Sequence, residues 1–150
     1  MPIYFHLAPI LLSAGSIIEP GNFGRILRLV GPSHPLHRRE MAYEAVRQGS
    51  FTDRPSRLEC LFGFLTRGEA ALYGSGIQGY ASSVLYEIES AESDPHIADA
   101  NNGVQHFGLP SFDPDVIAYY WGGWQRSPDP TAVILREVLL RQPVIVRARI

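Results

Sequence analysis

Cysteine is nearly missing from this sequence: Cys60 is the only one in 150 residues. That excludes an intrachain disulfide and a cysteine-clustered metal site. Within its apolar run Cys60 reads as a buried thiol. Residues 1–6 lack the basic segment and apolar core of a secretion signal. No apolar run approaches the ~18–20 residues a bilayer crossing takes. The expected setting is a reducing, cytoplasmic interior without membrane attachment. An excess of basic charge is missing too, because 13 Lys plus Arg against 15 Asp plus Glu leave a formal net charge of −2. Nothing in that balance draws the chain toward nucleic acid or anionic lipid. Neither repeats, low-complexity tracts nor a linker interrupt the sequence. Its 45% hydrophobic and 19% charged content are those of a folded protein, and the length suits one domain over residues 1–150.

Strand signals dominate what is present. Residues 3–7 form an apolar and aromatic run closed by Pro9, and Ile17-Ile18 leads into the glycine-bearing turn around Pro20-Gly21 and Gly24. Residues 36–48 predict a helix with Arg38, Arg39, Glu40, Glu44 and Arg47 toward water and Met41, Ala42, Ala45 and Val46 inward. Residues 57–65 read as a buried strand. Thr66 followed by Glu69 is the pattern of a capping box, opening a short helix over 67–73 that Gly74 stops. Residues 82–90 alternate as a half-exposed strand, 96–113 read as a long surface loop, and Pro114 opens a short helix broken by Gly122-Gly123. Two last strands are expected over 133–140 and 144–148. The sum is an α+β domain with mostly antiparallel pairing.

Three segments carry chemistry by their order. Ile3-Tyr4-Phe5-His6-Leu7-Ala8-Pro9 is followed by Ile17-Ile18-Glu19-Pro20-Gly21. Leu61-Phe62-Gly63-Phe64-Leu65-Thr66 is followed by Ala70-Ala71-Leu72-Tyr73. Arg136-Glu137-Val138-Leu139-Leu140 is followed by Pro143-Val144-Ile145-Val146. Taken together, from residue 3 to residue 146, they resemble the core motifs of ADP-ribosyltransferases of the diphtheria-toxin and poly-ADP-ribose-polymerase branch. The chain is also similar to a small bacterial family through Pro55-Ser56-Arg57-Leu58 and Tyr120-Trp121-Gly122-Gly123, a likeness that adds no chemistry by itself.

The resemblance implies a split β-sandwich, two small sheets around a cleft that holds NAD as substrate, with transfer of ADP-ribose to a protein, nucleic acid or water acceptor. A toxin or effector role would suit such a module. By resemblance Glu137 is the catalytic carboxylate, placed at the ribose 2′-hydroxyl to stabilise an oxocarbenium-like transition state. His6 would clamp a ribose hydroxyl, and Tyr73 with Phe62 or Phe64 would hold the flat nicotinamide ring. Thr66 completes that lining, and Arg25 with the Gly21–Gly24 backbone would meet the diphosphate. No metal site is expected: His96 and Asp99 fall in the expected loop with no third ligand apparent, and His34 and His37 flank a proline and read as exposed. There are departures, since Leu7 stands where the family has glycine and phenylalanine where it has a strand tyrosine. Leu135 occupies the position of the acid or amide that arginine-modifying members carry. Rival readings are an inactive NAD or ADP-ribose reader, an NAD-dependent RNA 2′-phosphotransferase or NAD glycohydrolase, and an interaction module built on the aromatics of residues 119–124.

Overall fold

In the computed structural model, which describes residues 1–76, 83–100 and 113–150, the apolar run at the start becomes strand β1 (Ile3–Ala8). There follow β2 (Ile17–Ile18), α1 (Asn22–Val30), α2 (His37–Ser50), a 3-10 turn (Arg57–Glu59), β3 (Leu61–Phe64) and α3 (Arg67–Gly76). The chain continues with β4 (Val84–Ser90), β5 (His96–Asp99), α4 (Pro114–Gly122), β6 (Arg136–Leu140) and β7 (Val144–Arg149). The fold is α+β, and all described strand pairs are antiparallel.

The strands make one sheet in the order β2-β7-β4-β1-β3-β6-β5. This corrects the expectation of two separate small sheets. The physical reason lies at the centre. β1 is laddered to β4 along its whole length, and β3 to β6 likewise. Between β1 and β3 the register holds a single pair, Phe5 with Phe64. A four-strand half and a three-strand half are therefore joined at a narrow seam.

Alternation along the strands sorts side chains onto two faces. Tyr4, Ala8, Tyr86, Ile88, Val144 and Val146 from the larger half share one apolar cluster with Leu61, Val138 and Leu140 from the smaller. On the opposite face, Leu139 and Ala98 pack against Tyr43 of α2 and Ile117, Tyr120 and Trp121 of α4. Phe64 and Leu135 pack there against Ala70 of α3.

Several local expectations are corrected. Residues 22–30 are a helix, not a turn: Gly21 takes φ +96°, and α1 then buries Leu27 completely. Gly24 lies on the backbone of Leu58, where an added Cβ would stand 1.9 Å from the carbonyl oxygen. Residues 57–59 turn as a 3-10 helix because Ser56 caps them, its hydroxyl accepting from the Leu58 amide. On α2 the buried positions are Glu40 and Tyr43, while Ala45 is exposed. α3 runs past Gly74 to Gly76. Residues 96–99 are an edge strand, where His96 and Asp99 fall on opposite sides. Residues 101–112 of the expected loop lie outside the described residues. β6 begins at Arg136, not 133. Among the described residues, no helix is long and apolar enough to cross a membrane.

Candidate functional site

Glu137 occupies the second position of β6, between β3 and β5, with Phe64 opposite it on one side and Ala98 on the other. The register Phe5–Phe64–Glu137–Ala98 thus puts an acid in a row of otherwise apolar neighbours across the sheet. Glu137 is only 3% exposed, and a carboxylate so placed needs charged or hydrogen-bonding partners.

Two elements distant in sequence supply them. Tyr120 of α4 donates its hydroxyl to Glu137 Oε1 at 2.6 Å. Arg57, swung inward by the 3-10 turn, donates Nη1 to the same oxygen and also to the Tyr120 hydroxyl. The rest of its guanidinium grips Glu40 of α2, Nε to Oε2 at 2.9 Å and Nη2 to Oε1 at 3.1 Å. Arg39 closes the chain, Nη2 to Glu40 Oε1 at 2.8 Å. Two cations balance two anions. The Arg57 guanidinium also lies 4.7 Å from the Phe62 ring centroid and 5.1 Å from that of Tyr120, positions in which ring faces favour a cation.

The electrostatics follow from burial and pairing. Burial opposes the charge of Arg57, but Glu137 and Glu40 outweigh it and raise its pKa well above the ordinary value. Burial likewise disfavours ionised Glu40, yet Arg57 and Arg39 hold its pKa below the usual carboxylate value. Burial raises the phenol of Tyr120, leaving it a donor at neutral pH. Tyr43, edge-on to Tyr120, is buried with its hydroxyl unpaired. Glu137 Oε2 makes no hydrogen bond among the described residues, so the network fixes one oxygen and leaves the other.

His6 lies on β1, two strands from Glu137, roughly 10 Å away in strand spacing. Alternation directs it to the face of Tyr4 and Ala8, opposite that of Glu137. Its ring reaches the seam, where Nδ1 meets the Phe62 carbonyl at 2.6 Å. A carbonyl only accepts, so Nδ1 carries the hydrogen. Burial lowers the His6 pKa, although the bond to Phe62 works the other way. The ring is neutral at pH 7, and its Nε2 is an acceptor.

Phe64 and Tyr73 meet directly, ring centroids 4.9 Å apart and tilted by 43°. A ring held between them would need about 7 Å, so no flat ring fits between the two as they stand. Phe62 belongs elsewhere, edge-on to Phe23 at 5.5 Å and beneath Arg57. The Thr66 hydroxyl serves the helix cap, accepting from the Glu69 amide at 3.1 Å and donating to Glu69 Oε2 at 2.6 Å. Glu69 in turn takes Arg136 in a bidentate pair at 2.8 and 2.9 Å. The start of the Tyr73 helix is thereby tied to the residue before Glu137.

Other sequence candidates fall away from this region. Arg25 is an exposed helical residue with Nε on Asn22, and the glycines beside it serve helix packing. His96 is buried against Trp121, 5.7 Å between ring centroids, with Nε2 3.3 Å from the Tyr120 carbonyl. No group of three metal-ligating side chains occurs among the described residues. Trp121 anchors α4 to the core through Nε1 and the Tyr43 carbonyl. Arg57, Tyr120, Glu40 and Tyr43 were not singled out from sequence. Two of the four were in view, because Arg57 and Tyr120 sit in the Pro-Ser-Arg-Leu and Tyr-Trp-Gly-Gly segments, which converge on Glu137. A scan against protein-family models finds no match to the chain, and a search of curated proteins finds none either.

Proposed function

We propose that this chain is an enzyme of the ADP-ribosyltransferase type, breaking the nicotinamide–ribose bond of NAD and passing ADP-ribose to a protein, nucleic acid or water acceptor. In this reading the single sheet, nearly parted at the Phe5–Phe64 pair, is a variant of the split sandwich, and the substrate lies at the seam. The observation that carries the reading is Glu137: a buried carboxylate with Oε1 fixed by Arg57 and Tyr120 and Oε2 without a hydrogen bond among the described residues, beside the Phe64–Tyr73 rings.

The chemistry asks for such a group. When the C1′–N bond breaks, its electron pair leaves with nicotinamide and the ribose becomes oxocarbenium-like. Glu137 Oε2 accepts from the ribose 2′-hydroxyl, and that bond strengthens as positive charge develops. Tyr73 and Phe64 offer apolar faces to the departing ring. The acceptor then attacks C1′ and loses its proton to solvent. Leu135, 6% exposed, provides no carboxylate or amide to activate a guanidinium acceptor, so arginine is not modified.

Incubating the purified chain with labelled NAD, with and without cell lysate, tests the proposal. Nicotinamide should be released, and Glu137→Gln should slow release by roughly 10²-fold or more, about 3 kcal/mol of transition-state stabilisation. Unchanged release by the variant refutes the assignment. One observation favours a second reading, a non-catalytic NAD or ADP-ribose reader: the charge of Glu137 is already balanced inside a closed network. A reader would bind NAD reversibly, gain thermal stability and return the ligand unchanged.

A further inference from the structure

The 3-10 turn that sends Arg57 inward has an outer side. There Ser56, Leu58 and Cys60 help wall a surface cleft of about 520 Å3, into which Arg28, Arg47, Arg54 and Arg141 also face. The sequence contains no lysine, so all 13 of its basic side chains are arginines, and any recognition of anions by charge falls to guanidinium groups.

The four arginines are not equivalent. Arg47 is spent on structure: Nε and Nη2 hold Glu44, and Nη1 donates to the Arg54 carbonyl. Glu44 is spent as well, its two oxygens taken by Arg47, Ser56 and Gln48. Arg54 is anchored by Nε on the Trp121 carbonyl at 3.1 Å. Arg141 is anchored by its backbone amide and Nε on buried Glu92, at 3.1 and 3.3 Å. Both therefore hold their stems fixed and leave their terminal Nη groups without a partner among the described residues. Arg28 pairs only loosely, 3.7 Å from Glu59, and both side chains are more than half exposed. Burial pushes the Cys60 thiol up to about 12, so it adds no negative charge to the wall.

Guanidinium forks anchored at Nε with free ends are suited to phosphate, which accepts paired N–H donors from arginine. We propose that this cleft binds a phosphate-bearing anion of diphosphate size through Arg28, Arg54 and Arg141, at a site separate from the seam. The same chemistry is offered by a free nucleotide and by a nucleic-acid backbone. The proposal does not depend on NAD turnover.

Calorimetric titration of the full chain with inorganic pyrophosphate tests it. Binding with a Kd below about 1 mM is expected, weakening as salt is raised. The double variant Arg28→Ala, Arg141→Ala removes two half-exposed side chains and should weaken binding by about 10-fold or more while thermal unfolding stays cooperative. ADP and a short single-stranded oligothymidylate distinguish the sources. ADP binding as well as pyrophosphate, with no gain for the oligonucleotide, assigns a free nucleotide. Tighter, strongly salt-dependent oligonucleotide binding assigns a backbone. No pyrophosphate binding at millimolar concentration, or binding that the double variant leaves unchanged, overturns the site. Displacement of pyrophosphate by NAD through the same two arginines overturns its separation from the seam.

Discussion

Tyr120 donates to Glu137 Oε1 at 2.6 Å while Arg57 donates to that same oxygen, so both partners of the carboxylate among the described residues meet it at one oxygen. Orientation of the other oxygen then depends on a phenol carried by a different element. Tyr120→Phe removes that hydroxyl and little else. If Glu137 acts on the ribose, kcat for nicotinamide release should fall by about 10-fold or more, the value of a hydrogen bond to a charged group, with KM for NAD nearly unchanged. Steady-state kinetics check the split. Equal kcat values would show that Arg57 alone holds the oxygen.

Arg57 is the common partner of Glu40 and Glu137 and is 7% exposed. Arg57→Met leaves both acids buried without it. The free energy of unfolding should drop by roughly 3–5 kcal/mol, the usual consequence of breaking a buried pair from one side. Adding Glu40→Gln to that variant should recover part of the loss. Urea denaturation measures both.

Two glycines in helices make a paired test. At Gly24 a Cβ would stand 1.9 Å from the Leu58 carbonyl oxygen, a backbone atom that cannot step aside. Gly24→Ala should destabilise by at least about 1–3 kcal/mol and disturb the turn that presents Arg57. Gly49 of α2 has nothing within 4 Å, so Gly49→Ala should be neutral or stabilising by about 0.5–1 kcal/mol. Thermal melts should show the midpoint lowered for Gly24→Ala and unchanged or raised for Gly49→Ala.

Burial, helped by the nearby charge of Arg54, lowers the His96 pKa from 6.5 to about 4, and burial lowers that of His6. A depressed histidine binds protons more readily unfolded than folded. Its stabilisation is present above the unfolded value of 6.5 and is lost as the pH falls toward the folded value of about 4. For His96 the loss is at most on the order of 3 kcal/mol. Glu40 and Glu69, whose pKa values are lowered despite burial, add a further loss at more acidic pH. Urea midpoints followed downward from pH 7 should therefore decline before the carboxylates titrate. His96→Gln, which keeps a donor for the Tyr120 carbonyl, should flatten that first decline.

Periodicity found the strands that bury one face. β4 reads as alternation in the sequence and is built that way, with Tyr86, Ile88 and Ser90 buried. The Thr66–Glu69 cap was equally legible, because it depends on neighbours three residues apart. Glu40 was not. A glutamate in a run of Arg38, Arg39, Glu40 and Glu44 resembles a solvated helix face, and its burial is decided by Arg57, 17 residues away. α1 was hidden for a related reason: Gly21 and Gly24 signal a turn locally, whereas Gly24 serves a contact with Leu58. The partners of Glu137 come from two separate segments, and no local pattern in either states that they meet.

The strand order has a consequence for how the chain is made. Of the hydrogen-bonded neighbours in β2-β7-β4-β1-β3-β6-β5, only β6 and β5 are consecutive in sequence. β2 finds its ladder with Val144 and Ile145, far along the chain. During synthesis β2 and the outer edge of β4 therefore wait unpaired until residues 144–149 emerge from the ribosome, and closing such long loops comes before the contacts that repay it. Assembly rests on long-range pairing and is slow as a result. The period of greatest exposure to aggregation falls while β2 and β4 have been made and β7 has not.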